Sequence, residues 1–306
     1  MLIERIGHEL GLPERFLASL AKTASFRYKT YTIAKRRGGT REIHHPAKPL
    51  KAIQRWILAN ILPKLPVHAA AMAYRRGISI QDNAKIHSTS RYLLRMDFQD
   101  FFPSITDKDI QNYVAKLPTY FSGWNERDIE LFCRFVCRRH VLTIGAPTSP
   151  SLSNALCYDL DERLTTISAQ SQCRYTRYAD DLFFSTTLPN VLKVIESVVV
   201  DVCKELPIPA SLIVNPEKTR HSSKRARRRV TGIILSSDGT TSVGRNVKRQ
   251  IRALVHKYAE IDYTAKLRLA GLISYVAGVD PEFVNSLIKK YGPTLIADVR
   301  KPPRSH

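Results

Sequence analysis

The chain has 306 residues, 43% of them hydrophobic, with 48 Lys and Arg against 27 Asp and Glu and a formal charge of +21. That is enough apolar material for a sizeable core in one lobed domain or two, and the cationic excess points to a polyanion, nucleic acid before an anionic membrane. The longest apolar runs are broken by charge, and the N-terminal MLIERIGHEL is acidic without a long apolar core, so neither a transmembrane span nor a signal peptide is expected and the protein reads as cytoplasmic.

Along the chain, LPERFLASLAKTA has helical periodicity, and YKTYTIAKRRGGTREIHHP alternates as a hairpin turning at Gly38 and Gly39. LKAIQRWILANIL predicts an amphipathic helix with Leu50, Ile53, Ile57, Leu58 and Ile61 on one face. SRYLLRMDFQDFF reads as a strand ending in an acidic, aromatic turn before Pro103, and residues 107–140 read as mostly helical. Within them Cys133 and Cys137 lie one helical turn apart ahead of His140. No second ligand pair follows, so packing is expected for all five cysteines (Cys133, Cys137, Cys157, Cys173, Cys203) before zinc or a disulfide framework. TSPSLSNALCYDLDERLTTIS is expected to form one long helix. A hairpin around Asp180 and Asp181 comes next, then a helix at about 189–205, a short strand ASLIVN and the stretch NPEKT. RRRVTGIILSSDGTTSVG predicts a hairpin turning at Asp238 and Gly239, and from Arg245 the pattern is helical. This order fits an α+β fold with an antiparallel sheet, not a doubly wound parallel one.

RYTRYADDLFFS sets Asp180 and Asp181 side by side between apolar flanks. Two unit charges about 4 Å apart repel by about 1 kcal/mol in water and by several in a partly buried site. A bound cation, a helix N-terminus or an exposed turn would offset that repulsion, and the apolar flanks argue against the exposed turn. Asp97 closes a second apolar strand, YLLRMD. If the two strands are neighbours, three carboxylates converge into an all-oxygen set suited to two Mg²⁺ ions shared with substrate phosphates. The chemistry this suggests is nucleotidyl transfer.

YADD in a hairpin, MDFQDFFPSI upstream and GAPTSPSLSN between them resemble the palm motifs of reverse transcriptases. NPEKT, the VTG strand and KRRGGTREIHHP extend the resemblance over roughly residues 30 to 240. It implies a right-hand polymerase: N-terminal helices and fingers over 1–92, an antiparallel-sheet palm over 93–240 with a finger-type helical insertion at about 107–140, and a helical thumb over 241–306. It further implies an RNA-directed DNA polymerase in which Asp97 and Asp180 are the principal metal ligands and Asp181 a supporting carboxylate. Phe98 would offer a backbone carbonyl to the metal, and Phe102 would floor the sugar of the incoming dNTP and exclude a 2′-hydroxyl. Lys218 would be a general acid for pyrophosphate, and Lys35 and Arg41 would contact the triphosphate. One departure is Ile144, where the family commonly has Gln before the Gly of GAP; this bears on fidelity and nucleotide affinity, not on metal chemistry.

DNAKIH (82–87) and the triplet Val230, Thr231, Gly232 resemble elements of retron reverse transcriptases in particular. That resemblance implies copying of part of a cognate structured noncoding RNA from a guanosine 2′-hydroxyl, giving branched msDNA, in anti-phage defence. It also implies a separate effector protein, and host RNase H to trim the template, since no fused effector or RNase H domain is visible. Group II intron-like or diversity-generating reverse transcriptases, and a non-catalytic RNA-binding scaffold, are the alternatives. Asn83 and His87 read equally as a polar pair capping a turn, and Gly232 as a place where backbone approaches nucleic acid closely. In GRNVKRQIRALVHKY, Val247, Ile251, Leu254, Val255 and Tyr258 would face the core, leaving Arg245, Lys248, Arg249, Arg252 and His256 as a basic stripe. KRARRR (Lys224, Arg225, Arg227, Arg228, Arg229) adds a second cluster. The family's thumb recognises a stem-loop of its RNA, so the stripe is expected to lie along that RNA or the growing duplex.

Overall fold

Reciprocal caps start several helices. Ser79, Thr106 and Asn125 each accept from the backbone N–H three residues on, and Asp82, Asp109 and Asp128 return the bond to the cap. The computed structural model describes residues 2–35 and 38–301. Its first elements are helices α1 (Leu2–Leu10) and α2 (Glu14–Lys22), the hairpin β1 (Tyr28–Ala34) and β2 (Thr40–Pro46), helices α3 (Lys48–Asn60) and α4 (Ile80–Ser88), and strand β3 (Tyr92–Asp97). Helices α5 (Asp107–Lys116), α6 (Glu126–Val136), α7 (Ser149–Leu156) and α8 (Tyr158–Gln170) follow, then β4 (Arg174–Tyr178), β5 (Asp181–Thr186) and α9 (Val191–Glu205). Short strands β6 (Arg220–Ser223), β7 (Arg228–Val230), β8 (Ile233–Leu235) and β9 (Thr241–Ser242) precede helices α10 (Arg245–His256), α11 (Tyr263–Val279), α12 (Pro281–Tyr291) and α13 (Pro293–Arg300).

The chain divides into two compact units, the first from residues up to Arg76, Arg95–Phe183 and Lys193–Arg220, the second from Gly77–Leu94, Phe184–Leu192 and the chain from His221. In the first, α6 packs against α1, α2 and α3; it buries Phe132 and Phe135, and α3 buries Ile53 and Ile57. Gln54, buried on α3 and absent from the predicted apolar face, donates to the Phe135 carbonyl at 2.8 Å. The four-stranded sheet runs β4-β5-β3-β6, and β5 is buried at every position after Asp181, which is why LFFS reads as an unbroken apolar run. In the second unit α4 packs on the antiparallel meander β7-β8-β9, and helices α10–α13 pack on one another. Asn83 and His87 are both fully buried on α4, with His87 Nδ1 2.7 Å from Ser185 Oγ.

Three expectations need correction. TSPSLSNALCYDLDERLTTIS is two helices, broken at Cys157, and residues on both sides of the break, Asn154 and Asp161, bond the same Arg177. ASLIVN forms no strand; Val214 makes a single bridge with Phe98 before Asn215 turns into the 3-10 helix Pro216–Lys218. RRRVTGIILSSDGTTSVG is a three-stranded meander with an additional turn at Thr231 and Gly232, whose φ values of 47° and 91° make the two-residue turn that suits a twisted hairpin. An added Cβ at Gly232 meets nothing within 4 Å, so backbone conformation, not close approach within the protein, accounts for this glycine.

All five cysteines are free and buried, and burial pushes the Cys133, Cys157 and Cys203 thiols up to about 12. Among the described residues no helix is long and apolar enough to cross a membrane.

Candidate active site

The turn from β4 to β5 consists of Ala179, at φ 58°, and Asp180. It is held from below by Arg177, fully buried on β4. Its guanidinium grips Asp161 of α8 with two bonds, Nη2 to Oδ2 at 2.7 Å and Nε to Oδ1 at 2.9 Å. Arg177 Nη1 also donates to Asn154 Oδ1 at 3.1 Å and to the Ala179 carbonyl at 3.2 Å. Asn154 in turn donates to the Ala73 carbonyl at 2.8 Å, and Tyr175 donates its hydroxyl to Asp161 at 2.8 Å. A left-handed alanine between a strand and a carboxylate is thus fixed by a saturated buried network.

Asp97, 4% exposed at the end of β3, meets this turn: the N–H of Phe98 donates to the Asp180 carbonyl at 3.1 Å. The N–H of Asn215 donates to the Asp97 carbonyl at 2.7 Å, which brings Lys218 round to place its Nζ 2.5 Å from Asp97 Oδ1. Burial, and then the charge of Asp97, hold the Asp180 carboxyl above its usual range, against a backbone hydrogen bond, Lys218 and Arg41. Burial pushes the Asp181 carboxyl up to about 6, although Arg95 opposes the rise from 2.7 Å and 3.0 Å. The three carboxylates therefore share one electrostatic neighbourhood, but their roles differ. Asp181 is paired with Arg95 and Asp97 with Lys218, while the Asp180 carboxyl is raised by burial and by the charge of Asp97.

Asp180, Lys218, Phe98, Phe102, Lys35 and Arg41 all line one cavity of about 500 Å³. Phe98 is buried and stacks on Phe101 at 5.7 Å, and the Phe101 ring supports the half-buried Phe102 at 5.4 Å. Sequence reasoning missed other wall residues: Tyr74 and Asp100, at φ 61° and 41°, and the adjacent Arg138 and Arg139. The paired arginines in CRRH, directly after a helix, were the available signal; positive φ at Tyr and Asp leaves none. Gly145 has a geometric reason, because at φ 108° an added Cβ would stand 2.6 Å from the His44 carbonyl oxygen. That contact lets the GAP segment accept the His44 N–H on the Ile144 carbonyl at 2.8 Å and present Ile144 as an apolar wall of the cavity.

Residues 33–242 match the reverse transcriptase (RNA-dependent DNA polymerase) family. The chain is 36% identical over 281 residues to the retron Ec83 reverse transcriptase of Escherichia coli, covering 90% of each, and 32% identical over 291 residues to the retron Ec86 reverse transcriptase of the same organism, covering 90% and 86%. It belongs to the retron reverse transcriptases. This enzyme is accordingly an RNA-directed DNA polymerase, and its fold agrees. Apo telomerase from Candida tropicalis superposes with a TM-score of 0.52 at 12% identity over 86% of this chain. Telomerase from the same organism with a fragment of telomeric RNA gives 0.50 at 10% over 94%. The reverse transcriptase spans 57% and 63% of those two telomerase chains, and at such identities the likeness shows the right-hand polymerase fold alone.

The predicted basic residues lie in the second unit and differ among themselves. Arg245, Arg249 and His256 are exposed on α10. Lys248 is half-buried, 2.7 Å from Asp280 and 5.1 Å above the Phe283 ring, and the Arg252 guanidinium lies 5.0 Å from the same ring. Lys248 is therefore committed to holding α10 on α12, and the solvent-facing stripe is narrower than predicted. Of KRARRR, Arg228 is fully buried and the other four cations are exposed.

Proposed function

We propose that the enzyme adds dNTPs to a primer in the cavity bounded by Asp180, Lys218, Lys35, Arg41 and Phe102, copying part of a cognate structured noncoding RNA from a guanosine 2′-hydroxyl into branched msDNA. The observation that carries this reading is the pair Asp97 and Asp180, two carboxylates brought together at the end of a buried strand against their mutual repulsion. Among the described residues no three His, Cys, Asp or Glu side chains gather into a self-sufficient metal site. Two hard oxygen donors that need substrate phosphates to complete a shell fit Mg²⁺. Asp97 and Asp180, with the Phe98 carbonyl and Asp181 in support, would hold two such ions, which when bound supply charge neutralisation and activation of the attacking hydroxyl.

Lys218 holds a proton at Nζ for the departing pyrophosphate, and Lys35 and Arg41 receive the triphosphate. On this reading the first 92 residues are N-terminal helices and fingers, residues 93–240 the palm and 241–306 the thumb. A separate effector, trimming by host RNase H, anti-phage defence and a cytoplasmic setting follow from retron membership and belong to the same proposal. Primer extension with Mg²⁺ and dNTPs tests the polymerase, and synthesis on the RNA encoded beside the gene tests the retron role. No product in the first assay would overturn the reading.

Phe102→Ala is expected to raise the ratio of ribonucleotide to deoxynucleotide incorporation, by on the order of tenfold if the ring's contact with a 2′-hydroxyl is worth about 1.4 kcal/mol. An unchanged ratio would assign Phe102 to packing on Phe101. Arg245→Glu with Arg249→Glu removes cations that α10 does not use internally. The pair is expected to weaken binding of the cognate RNA and to flatten its salt dependence, the log–log slope falling by about one for each phosphate no longer neutralised. If the salt slope is unaltered, this face of α10 is merely solvated.

A further inference from the structure

In the second unit, Thr89, Arg91, Tyr92, Thr187 and residues 223–225 enclose a cavity of about 660 Å³. Its charges are of one sign. Arg91, Lys224 and Arg225 contribute cations, Thr89, Thr187 and Ser223 contribute hydroxyls, and no carboxylate lines it. The two basic segments are laced together, with the N–H of Lys224 donating to the Arg91 carbonyl at 2.9 Å and the Arg91 guanidinium 5.4 Å from the Tyr92 ring centroid. Lys224 contributes to holding the Asp238 carboxyl below its usual range, but that carboxylate is taken up first by the N–H and hydroxyl of Thr240 at 2.9 Å and 2.8 Å.

A second observation comes from Arg228. This guanidinium is fully buried and donates only to carbonyls, those of Ser88, Ser90, Leu235 and Ser236, with Nε left without a partner. It fixes the two residues that flank Thr89, so a wall of the cavity is anchored by a buried cation with no carboxylate beside it among the described residues. A buried charge of that kind is costly unless an opposite charge comes close. The countercharge is not in this part of the chain. An anion in the neighbouring cavity would supply it, and hydroxyl donors among cations suit phosphate oxygens.

We propose that this cavity binds backbone phosphates of the enzyme's RNA. The volume lies within the range of ligand pockets, roughly 300–1,000 Å³, and exceeds what one free ion would fill. The cavity shares no lining residue with the one that holds Asp180. The identity of the strand rests on the RNA reading above, whereas the phosphate chemistry does not.

The test compares the full-length wild type with Lys224→Ala/Arg225→Ala, both positions being exposed, so that the fold should be retained. The probes are a fluorescent hairpin RNA, titrated over a range of salt, and inorganic tripolyphosphate in thermal melts. The double variant is expected to bind the hairpin about 10- to 100-fold more weakly at low salt, with the log–log slope reduced by about two. Tripolyphosphate is expected to raise the wild-type melting temperature, and to do so less in the variant. Equal slopes and equal tripolyphosphate shifts in the two proteins would overturn the pocket. A tripolyphosphate shift lost in the variant beside an unchanged RNA slope would overturn RNA as occupant and leave a small polyphosphate site. Failure of the wild type itself to bind RNA in a salt-dependent way would instead count against the RNA reading.

Discussion

Asp180→Asn is expected to abolish DNA synthesis while making the metal-free protein more stable. The two effects have one cause. Asp180 sits where burial and the charge of Asp97 both disfavour its ionised form, so its folded pKa lies above the unfolded value of about 3.9. A carboxyl raised in this way binds more protons folded than unfolded between those two values. Its presence therefore lowers stability progressively as pH rises through that window. The amide removes the charge and keeps the shape, so the variant is expected to melt higher than wild type above that window, the difference shrinking as pH falls through it toward the unfolded value. Catalysis moves the other way: losing several kcal/mol of transition-state stabilisation costs on the order of a thousandfold or more in rate. Mg²⁺ should raise the wild-type melting temperature and leave that of the variant nearly unchanged, by binding to the folded state alone. A variant that melts lower than wild type without metal, or that still extends primers at the wild-type rate, would contradict this account.

What the sequence could reveal was decided by range. Asp97, Asp180, Lys218 and Phe102 could be singled out because each sits in a short run whose residue types carry the chemistry, and Asp180, Lys218 and Phe102 line one cavity. Partners were not legible. Asp181 is bonded to Arg95, 86 residues away, and nothing local distinguishes it from Asp180. Arg228 reads as one more cation of KRARRR, yet it is buried because the carbonyls that receive it come from Ser88, Ser90, Leu235 and Ser236. Lys248 falls on the polar face of α10 by periodicity, and only Asp280 at the start of α12 shows that it is internal. Secondary structure was lost for similar reasons. ASLIVN has the composition of a strand, but Val214 meets only Phe98, beyond the last residue of β3, where the ladder cannot continue.

The buried network under the turn that carries Asp180 should separate stability from activity. Asp161→Ala leaves the Arg177 guanidinium fully buried without its carboxylate, and unpaired buried charges of this kind cost about 3–5 kcal/mol. That is a large share of the roughly 5–15 kcal/mol that holds a domain together, so the single variant should unfold at much lower urea or fail to accumulate. Replacing both partners, Asp161→Leu with Arg177→Met, removes the two charges together and is expected to recover most of the lost stability, since apolar replacements of buried pairs are often neutral or better. Activity should not return with it. Arg177 Nη1 is the side-chain donor on the Ala179 carbonyl and also holds Asn154, and methionine offers neither bond. With Ala179 at φ 58° no longer tied down, the Asp180 carboxylate loses its fixed place beside Asp97, and a misplacement near 1 Å is enough for about a hundredfold loss. Urea melts and primer extension on the same preparations read the two effects independently. A double variant that is both stable and fully active would show that the network only stabilises the fold, and that the turn is positioned by the Phe98 N–H on the Asp180 carbonyl alone.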